Sequence, residues 1–246
     1  MTDAAEPVTA ALLIIGDEIL SGRTKDKNIG YIAEYLTNIG IDLKEVRVVA
    51  DVEPYIVDAL NALRQRYTYV FTTGGIGPTH DDITADAVAK AFGVGIDVDE
   101  RVLAIMRERF RPEDINEARL RMARIPFGAD LVTNSYNKVP GFWIGNVLVM
   151  AGVPVIMQAM MDGVAPKLRT GAKMLSTSIR ADMREGDIGS PLAAVAKAHP
   201  DVMIGSYPFW SDEGQPNTNL IVRSRDEAKM NAAANAVRDM LEEMRR

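Results

Sequence analysis

The sequence predicts an α/β fold: a three-layer domain on a mostly parallel sheet, followed by a small C-terminal α+β appendage. Three observations carry this. Val8 to Ile15 (VTAALLII) is a nearly continuous apolar run of strand length, and continuous rather than alternating apolarity marks a strand buried on both faces. Through Phe92 such strands alternate with helical patterns, the order of consecutive βαβ units. From about Gly171 the composition shifts, which places the domains at 8–170 and 171–246.

Each element has its own signal. After Gly16-Asp17-Glu18, a helix is expected from near Asp26, with Ile29, Ile32, Ala33, Leu36 and Ile39 at helical spacing and Gly40 as its stop. Leu43 to Val49 reads as the second strand. Pro54 fits the first turn of the next helix, whose stripe is Ile56, Leu60 and Leu63, and this leaves Asp51 at a strand-to-helix junction. Tyr69 to Thr72 is the third strand, and Ala85 to Phe92 the helix after the glycine-rich segment between them. Asp99 to Phe110 and Asn116 to Arg124 read as helices interrupted around Arg111-Pro112. The basic run Arg107, Arg109, Arg111, Arg119, Arg121 and Arg124 is read as a solvated helix face paired with Glu108, Glu113 and Glu117 rather than an anion clamp. A loop from Ile125 to Tyr136 carries a short strand at Asp130 to Thr133. Gly145-Asn146 turns Phe142-Trp143-Ile144 into Val147 to Met150. The helix opened by Pro154 carries Met157, Met160 and Met161 as core filling.

In the appendage, Thr177 to Met183 alternates like a strand with one wet face, and Ser190-Pro191 starts a helix bearing Leu192, Val195 and Ala196. Val202 to Phe209 and Thr218 to Arg223 form a hairpin. The closing helix, Asp226 to Arg246, sets Ala233, Val237, Met240, Leu241 and Met244 on one side. The segment Tyr207 to Gly214 is read as a plain hairpin connection in preference to a cover over a ligand or subunit.

Composition excludes several classes. A net charge of −6 and a pI near 5.1 argue against a nucleic-acid surface. Without cysteine there is no disulfide, thiolate zinc site or thiol nucleophile, and His80 and His199 are too far apart for a helical two-histidine metal motif. Met1 to Pro7 lacks the basic start and apolar stretch of a signal peptide, and no apolar run reaches spanning length, so a cytoplasmic protein with no membrane association is expected.

In a parallel sheet the junctions that follow strands share one edge, so Gly16-Asp17-Glu18, Asp51 and the segment Gly74 to Asp82 should face a common crevice. That segment belongs to Thr72-Thr73-Gly74-Gly75-Ile76-Gly77-Pro78-Thr79-His80-Asp81-Asp82-Ile83-Thr84. Gly74, Gly75 and Gly77 permit positive φ and close approach of a ligand, and successive N–H groups can converge on an anion such as phosphate. Adjacent Asp81 and Asp82 would repel a bare phosphate, which points to a bridging divalent cation or to proton transfer. The competing interpretation is a tight turn stiffened by Pro78 with Asp82 or Thr84 capping the next helix. A cap needs one short polar residue, not two carboxylates behind three glycines.

With Gly16-Asp17-Glu18-Ile19-Leu20-Ser21-Gly22, Asn28 and this glycine segment, the chain resembles the molybdopterin-binding (MoaB/Mog) domain family over roughly residues 9 to 168. It looks most like the branch found in the N-terminal region of competence/damage-inducible (CinA) proteins and in the domain fused to eukaryotic FAD synthases. The stretch after residue 171 is similar to the small domain that follows there. The resemblance implies a phosphorylated small ligand, molybdopterin or a nucleotide, a link to molybdenum cofactor metabolism, and a homo-oligomer. In the cofactor branch it implies adenylyl transfer, with Asp82 at the position of the functional aspartate two residues before the loop threonine, and Asp51 at that of the second. In the CinA branch it implies metal-dependent hydrolysis of a nucleotide pyrophosphate, of ADP-ribose or FAD type. A catalytically silent binding or assembly module is the third expectation. Under these readings Asp82 and Asp51 are catalytic, and Asp81 and Asp82 hold Mg²⁺. Gly74, Gly75, Gly77, Pro78, Thr79, Asp17, Ser21 and Gly152 contact the ligand, and Lys138 offers a counter-charge. Two segments depart from the family pattern: Met150-Ala151-Gly152-Val153-Pro154 lacks the first proline of Leu-Pro-Gly-x-Pro, and Asn134 to Gly141 lacks a turn glycine and a proline.

Overall fold

The computed structural model describes residues 7–246. The N-terminal stretch read above as no signal peptide lies, Pro7 apart, outside the described residues. The chain forms two compact units that divide after Gly171.

The first unit runs β1 (Val8–Ile15), α1 (Asp17–Leu20), α2 (Asn28–Asn38), β2 (Ile41–Val49), α3 (Glu53–Arg64), β3 (Tyr69–Thr73), α4 (Thr84–Phe92), β4 (Ile96–Val98), α5 (Glu100–Arg109), α6 (Glu117–Arg121), β5 (Arg124–Pro126), β6 (Asp130–Val132), β7 (Gly141–Ile144), β8 (Val147–Met150) and α7 (Pro154–Val164). Its main sheet has six strands in the order β2-β1-β3-β8-β7-β6. The pairs β1–β2, β1–β3 and β3–β8 are parallel, while the hairpin of β7 and β8 and the edge strand β6 pair antiparallel. Alternate residues of β1 serve opposite faces, as a pleated strand requires. Ala11, Leu13 and Ile15 pack with Ile56, Leu60 and Leu63 of α3 and Val88 of α4. Ala10, Leu12 and Ile14 pack with Ile32 and Leu36 of α2 and with Met157, Met160 and Met161 of α7. Helices on both faces of one mostly parallel sheet give the three layers.

The junction after β1 is a single helical turn, α1. Two readings of this unit need correction. The helix expected over Asn116 to Arg124 stops at Arg121, because Arg124 to Pro126 is drawn into a short antiparallel ribbon with β4. Three-residue strands, one ending in proline, have no periodicity to read. Of the arginine run, Arg107, Arg109 and Arg111 are exposed while Arg119, Arg121 and Arg124 are half-buried, and the ion pairs are with Glu100 for Arg107, Asp114 for Arg119 and Asp86 for Arg124 rather than with the expected acids.

The second unit is β9 (Leu175–Arg180), α8 (Glu185–Ala198), β10 (Met203–Trp210), β11 (Pro216–Ser224) and α9 (Glu227–Met244), with sheet order β10-β11-β9, all antiparallel. The β-α-β-β-α order stands. Helix α8 begins at Glu185, upstream of the expected Ser190, and carries Pro191 inside it. Ile188 lies one turn before Leu192 and is fully buried, so packing of that earlier turn outweighs the hydrogen bond that proline forfeits. The segment Tyr207 to Gly214 is strand as far as Trp210, then a turn closed by Ser211 N–H to the Gln215 carbonyl. Among the described residues, no helix is long and apolar enough to cross a membrane.

Candidate functional site

From β1 the chain steps to one neighbour, β2, and later returns to the other side as β3. Open α/β sheets hold ligands beyond the carboxyl ends of their strands at such a reversal. Gly16, Asp51, Gly74 and Gly152 follow β1, β2, β3 and β8 at that edge. Gly74 has φ +103°, and a Cβ there would stand 2.1 Å from the Ile15 carbonyl oxygen. A Cβ on Gly75, at φ +67°, would stand 2.1 Å from Thr84 Oγ1. The loop is tied at both ends. Gly74 N–H donates to the Met150 carbonyl at 3.2 Å, Thr84 Oγ1 donates to the Gly74 carbonyl at 3.0 Å, and Thr84 N–H donates to the Gly75 carbonyl at 3.0 Å.

This arrangement corrects one expected role. The Gly74 N–H is committed to the sheet, so Gly74 serves by having no side chain rather than by donating to an anion. Among the described residues the N–H groups of Gly75, Ile76 and Gly77 have no protein partner, which leaves three consecutive donors on the loop.

These residues open onto a cavity of about 550 Å³. Of the residues named from sequence, Asp51, Gly74, Gly75, Gly77, Pro78, Asp81, Asp82 and Gly152 line it; Asp17, Ser21, Thr79 and Lys138 do not. The last four have other positions. Asp17 N–H donates to Asp51 Oδ2 at 2.9 Å, and Ser21 Oγ donates to the Glu18 carbonyl at 3.3 Å. Thr79 donates to Asp82 Oδ2 through its N–H at 2.8 Å and its hydroxyl at 2.5 Å. Lys138 takes φ +62°, with its N–H on Asn134 Oδ1. Neither Asp82 nor Thr84 caps α4, since the cap position is Ile83 and no side chain bonds there. Asp82 instead braces the loop that bears it.

Sequence reasoning missed two groups. Glu18 lines the cavity in place of Asp17; the motif places both acids at the edge, but only the turn of α1 decides which one faces inward. Arg121 lines a small hollow behind the loop together with Asp82, with Nη2 3.5 Å from the Asp82 carbonyl and a buried Nε that has no partner. Nothing in the sequence distinguishes it from its neighbours, because its placement depends on the unforeseen β4–β5 ribbon.

The cavity is electrostatically acidic. Burial, together with the nearby charges of Asp17, Glu18 and Asp81, pushes the Asp51 carboxyl above its ordinary value, although the Asp17 N–H opposes this. A raised folded-state pKa means that ionised Asp51 costs stability above that pKa, and that the cost fades as pH falls through it toward the unfolded value. Asp51→Asn, whose Oδ1 still accepts the Asp17 N–H, should therefore melt above wild type at neutral pH, with the gap closing as the pH is lowered toward the ordinary carboxylate range. Thermal melts between pH 7 and about pH 4 check this; a gap that is constant with pH would remove Asp51 as the strained acid.

For the divalent ion implied by the resemblance, the donor set is the test. Among the described residues no three His, Cys, Asp or Glu side chains are gathered into a metal cluster. Mg²⁺ commonly takes only one or two carboxylates and completes its shell with water and substrate phosphates. Glu18, Asp51, Asp81 and Asp82 on one cavity fit a substrate-bridged ion, not a preformed protein cage.

The fold and loop define a class: three-layer α/β domains with a glycine turn at the sheet's switch point. Residues 11–170 match the family described as "Probable molybdopterin binding domain", and the chain belongs to that family. Residues 173–245 match the family described as "FAD synthase, middle domain". A protein of Archaeoglobus fulgidus is 29% identical over 235 residues, covering 95% of this chain and 98% of its own. A "CinA-like protein" of Myxococcus xanthus is 28% identical over 92% of this chain, which spans 56% of that relative's length. Among solved structures, the protein CinA of Thermoplasma acidophilum, described as of unknown function, is 31% identical with a TM-score of 0.61, covering 65% of this chain and 96% of that one.

Proposed function

We propose that the glycine-loop cavity binds a phosphorylated nucleotide or pterin and cleaves or transfers its phosphoanhydride with the help of a divalent cation. The observation that carries this is the pairing of opposites in one cavity: three free N–H donors at Gly75, Ile76 and Gly77, and the carboxylates of Glu18, Asp51, Asp81 and Asp82. The donors favour phosphate oxygens, and the acids would repel them unless a cation lies between. Bound there, the ion would neutralise charge on the phosphates and lower the pKa of a coordinated water. The chain's own residues do the rest. The loop amides fix the phosphate oxygens, Asp82 orients the attacking oxygen, and the walls hold the remainder of the ligand.

Hydrolysis of a nucleotide pyrophosphate is the reading these acids favour. Membership of the molybdopterin-binding family supports a second, adenylyl transfer to molybdopterin, linked to molybdenum cofactor biosynthesis. One assay separates them. ADP-ribose with Mg²⁺ or Co²⁺ should yield AMP and ribose 5-phosphate under the first; molybdopterin with ATP should yield an adenylated pterin and pyrophosphate under the second. Turnover of neither, with binding retained, would leave a non-catalytic binding module.

A further inference from the structure

The hollow behind the glycine loop brings the acids Asp82 and Asp86 together with the cations Arg121 and Arg124. Arg124 is fully committed, since its Nη1 and Nη2 donate to the two Asp86 oxygens at 2.8 and 2.6 Å. Asp82 is committed as well, because its Oδ2 accepts both bonds from Thr79. Arg121 is left over. Among the described residues it has no carboxylate within ion-pair distance; its Nη2 reaches only the Asp82 carbonyl, at 3.5 Å, and its Nε is buried with no partner. Arg107 and Arg119 of the same run do have acids. A half-buried guanidinium that loses hydration and gains no partner is costly, and an apolar side chain of similar length would pack there without that cost. Packing therefore does not account for an arginine at this position.

The contacts lead from Arg121 to the loop. Its guanidinium meets the Asp82 carbonyl, and the Asp82 carboxylate lies against Gly77, where a Cβ would stand 2.6 Å from Oδ2. Arg121 does not line the main cavity and its Nε is sealed off, so the ligand does not touch that group. We propose that Arg121 is a positioning residue for the phosphate: its fixed positive charge stands behind Gly75, Ile76 and Gly77 and draws phosphate oxygens onto their amides from the far side of the loop. The inference rests on the phosphate reading of the main cavity and adds to it a countercharge that the chain itself supplies. A divalent ion offsets the four cavity carboxylates from the front, and the guanidinium offsets them from behind. Because Thr79 and Arg124 hold the two nearest acids, its field is left for the ligand. The charge is in place before the ligand arrives and is poorly solvated, where such a field is least screened.

Titration calorimetry of the full chain with Mg²⁺ and α,β-methylene-ADP, whose phosphate bridge resists hydrolysis, tests this beside thermal melts of Arg121→Met and Arg121→Lys. Methionine keeps the length and removes the charge, so this variant should melt at or above wild type yet bind the nucleotide about tenfold more weakly. Lysine keeps the charge and loses the fork, so it should bind within about threefold of wild type. A residue that merely held the loop in shape would do the reverse, with a lower melting temperature for Arg121→Met and no rescue by lysine. Either of those results, or wild-type affinity in Arg121→Met, overturns the proposal while the main-cavity reading stands. Failure of the wild type to bind the nucleotide overturns both.

Discussion

Gly74→Ala should destabilise the first unit by about 3 kcal/mol and abolish ligand binding, the largest stability loss expected from adding a single methyl group to this loop. Two costs combine. The backbone at Gly74 has φ +103°, beyond the left-handed region that other residues tolerate. The added Cβ would also stand 2.1 Å from the Ile15 carbonyl oxygen, a main-chain atom of β1 with no freedom to retreat. Relief requires β3 to part from β1 or the loop to swing away, and either breaks the Gly74 N–H to Met150 bond that anchors the turn. Gly22→Ala sets the scale. It shares positive φ, at +72°, but has open space around it, so about 1 kcal/mol is expected from conformation alone. Gly77→Ala is a third case: its Cβ would meet only the carboxylate end of Asp82, at 2.6 Å, which can rotate away at the expense of its bonds to Thr79. Urea unfolding midpoints should rank Gly74→Ala far below Gly77→Ala and Gly22→Ala. Equal midpoints for all three would mean that the loop is not clamped to the sheet.

How much of this was legible in the sequence follows from what each feature depends on. β1, β2, β3 and the helices between them announced themselves, because burial on two faces and helical stripes are local patterns, and Ile56, Leu60 and Leu63 are all fully buried as their spacing required. The convergence of three of these junctions, those after β1, β2 and β3, on one edge followed from parallel topology alone. What could not be read depends on long-range geometry. The β4–β5 ribbon pairs short segments far apart in sequence, and with it goes the placement of Arg121 behind the loop. The choice of Glu18 over Asp17 is made by one helical turn. The bond from Asn28 Nδ2 to the Gly152 carbonyl joins residues 124 positions apart. The family resemblance groups Asn28 with the glycine loop, but the unpartnered Asn28 Oδ1 becomes visible only once the strands are assembled.

Asp82→Asn and Asp82→Ala should separate the two jobs of this side chain. A single oxygen, Oδ2, accepts from both the Thr79 N–H and the Thr79 hydroxyl. An asparagine Oδ1 can take over that position and keep the loop braced, so Asp82→Asn should melt close to wild type while removing the charge from the cavity. Alanine removes the brace as well, and should cost about 1–2 kcal/mol of stability in addition. If Asp82 positions the attacking oxygen or shares the cation, turnover in the phosphoanhydride assay should fall about 100-fold or more in both variants, with the asparagine protein fully folded. If its only task is to hold Thr79, the asparagine protein should work normally and only the alanine protein should fail. Measuring kcat beside the melting curve for both decides between these outcomes, because charge loss and loop loss then move different observables. A fully active Asp82→Asn would transfer the chemical role to Glu18, Asp51 and Asp81, the remaining cavity carboxylates.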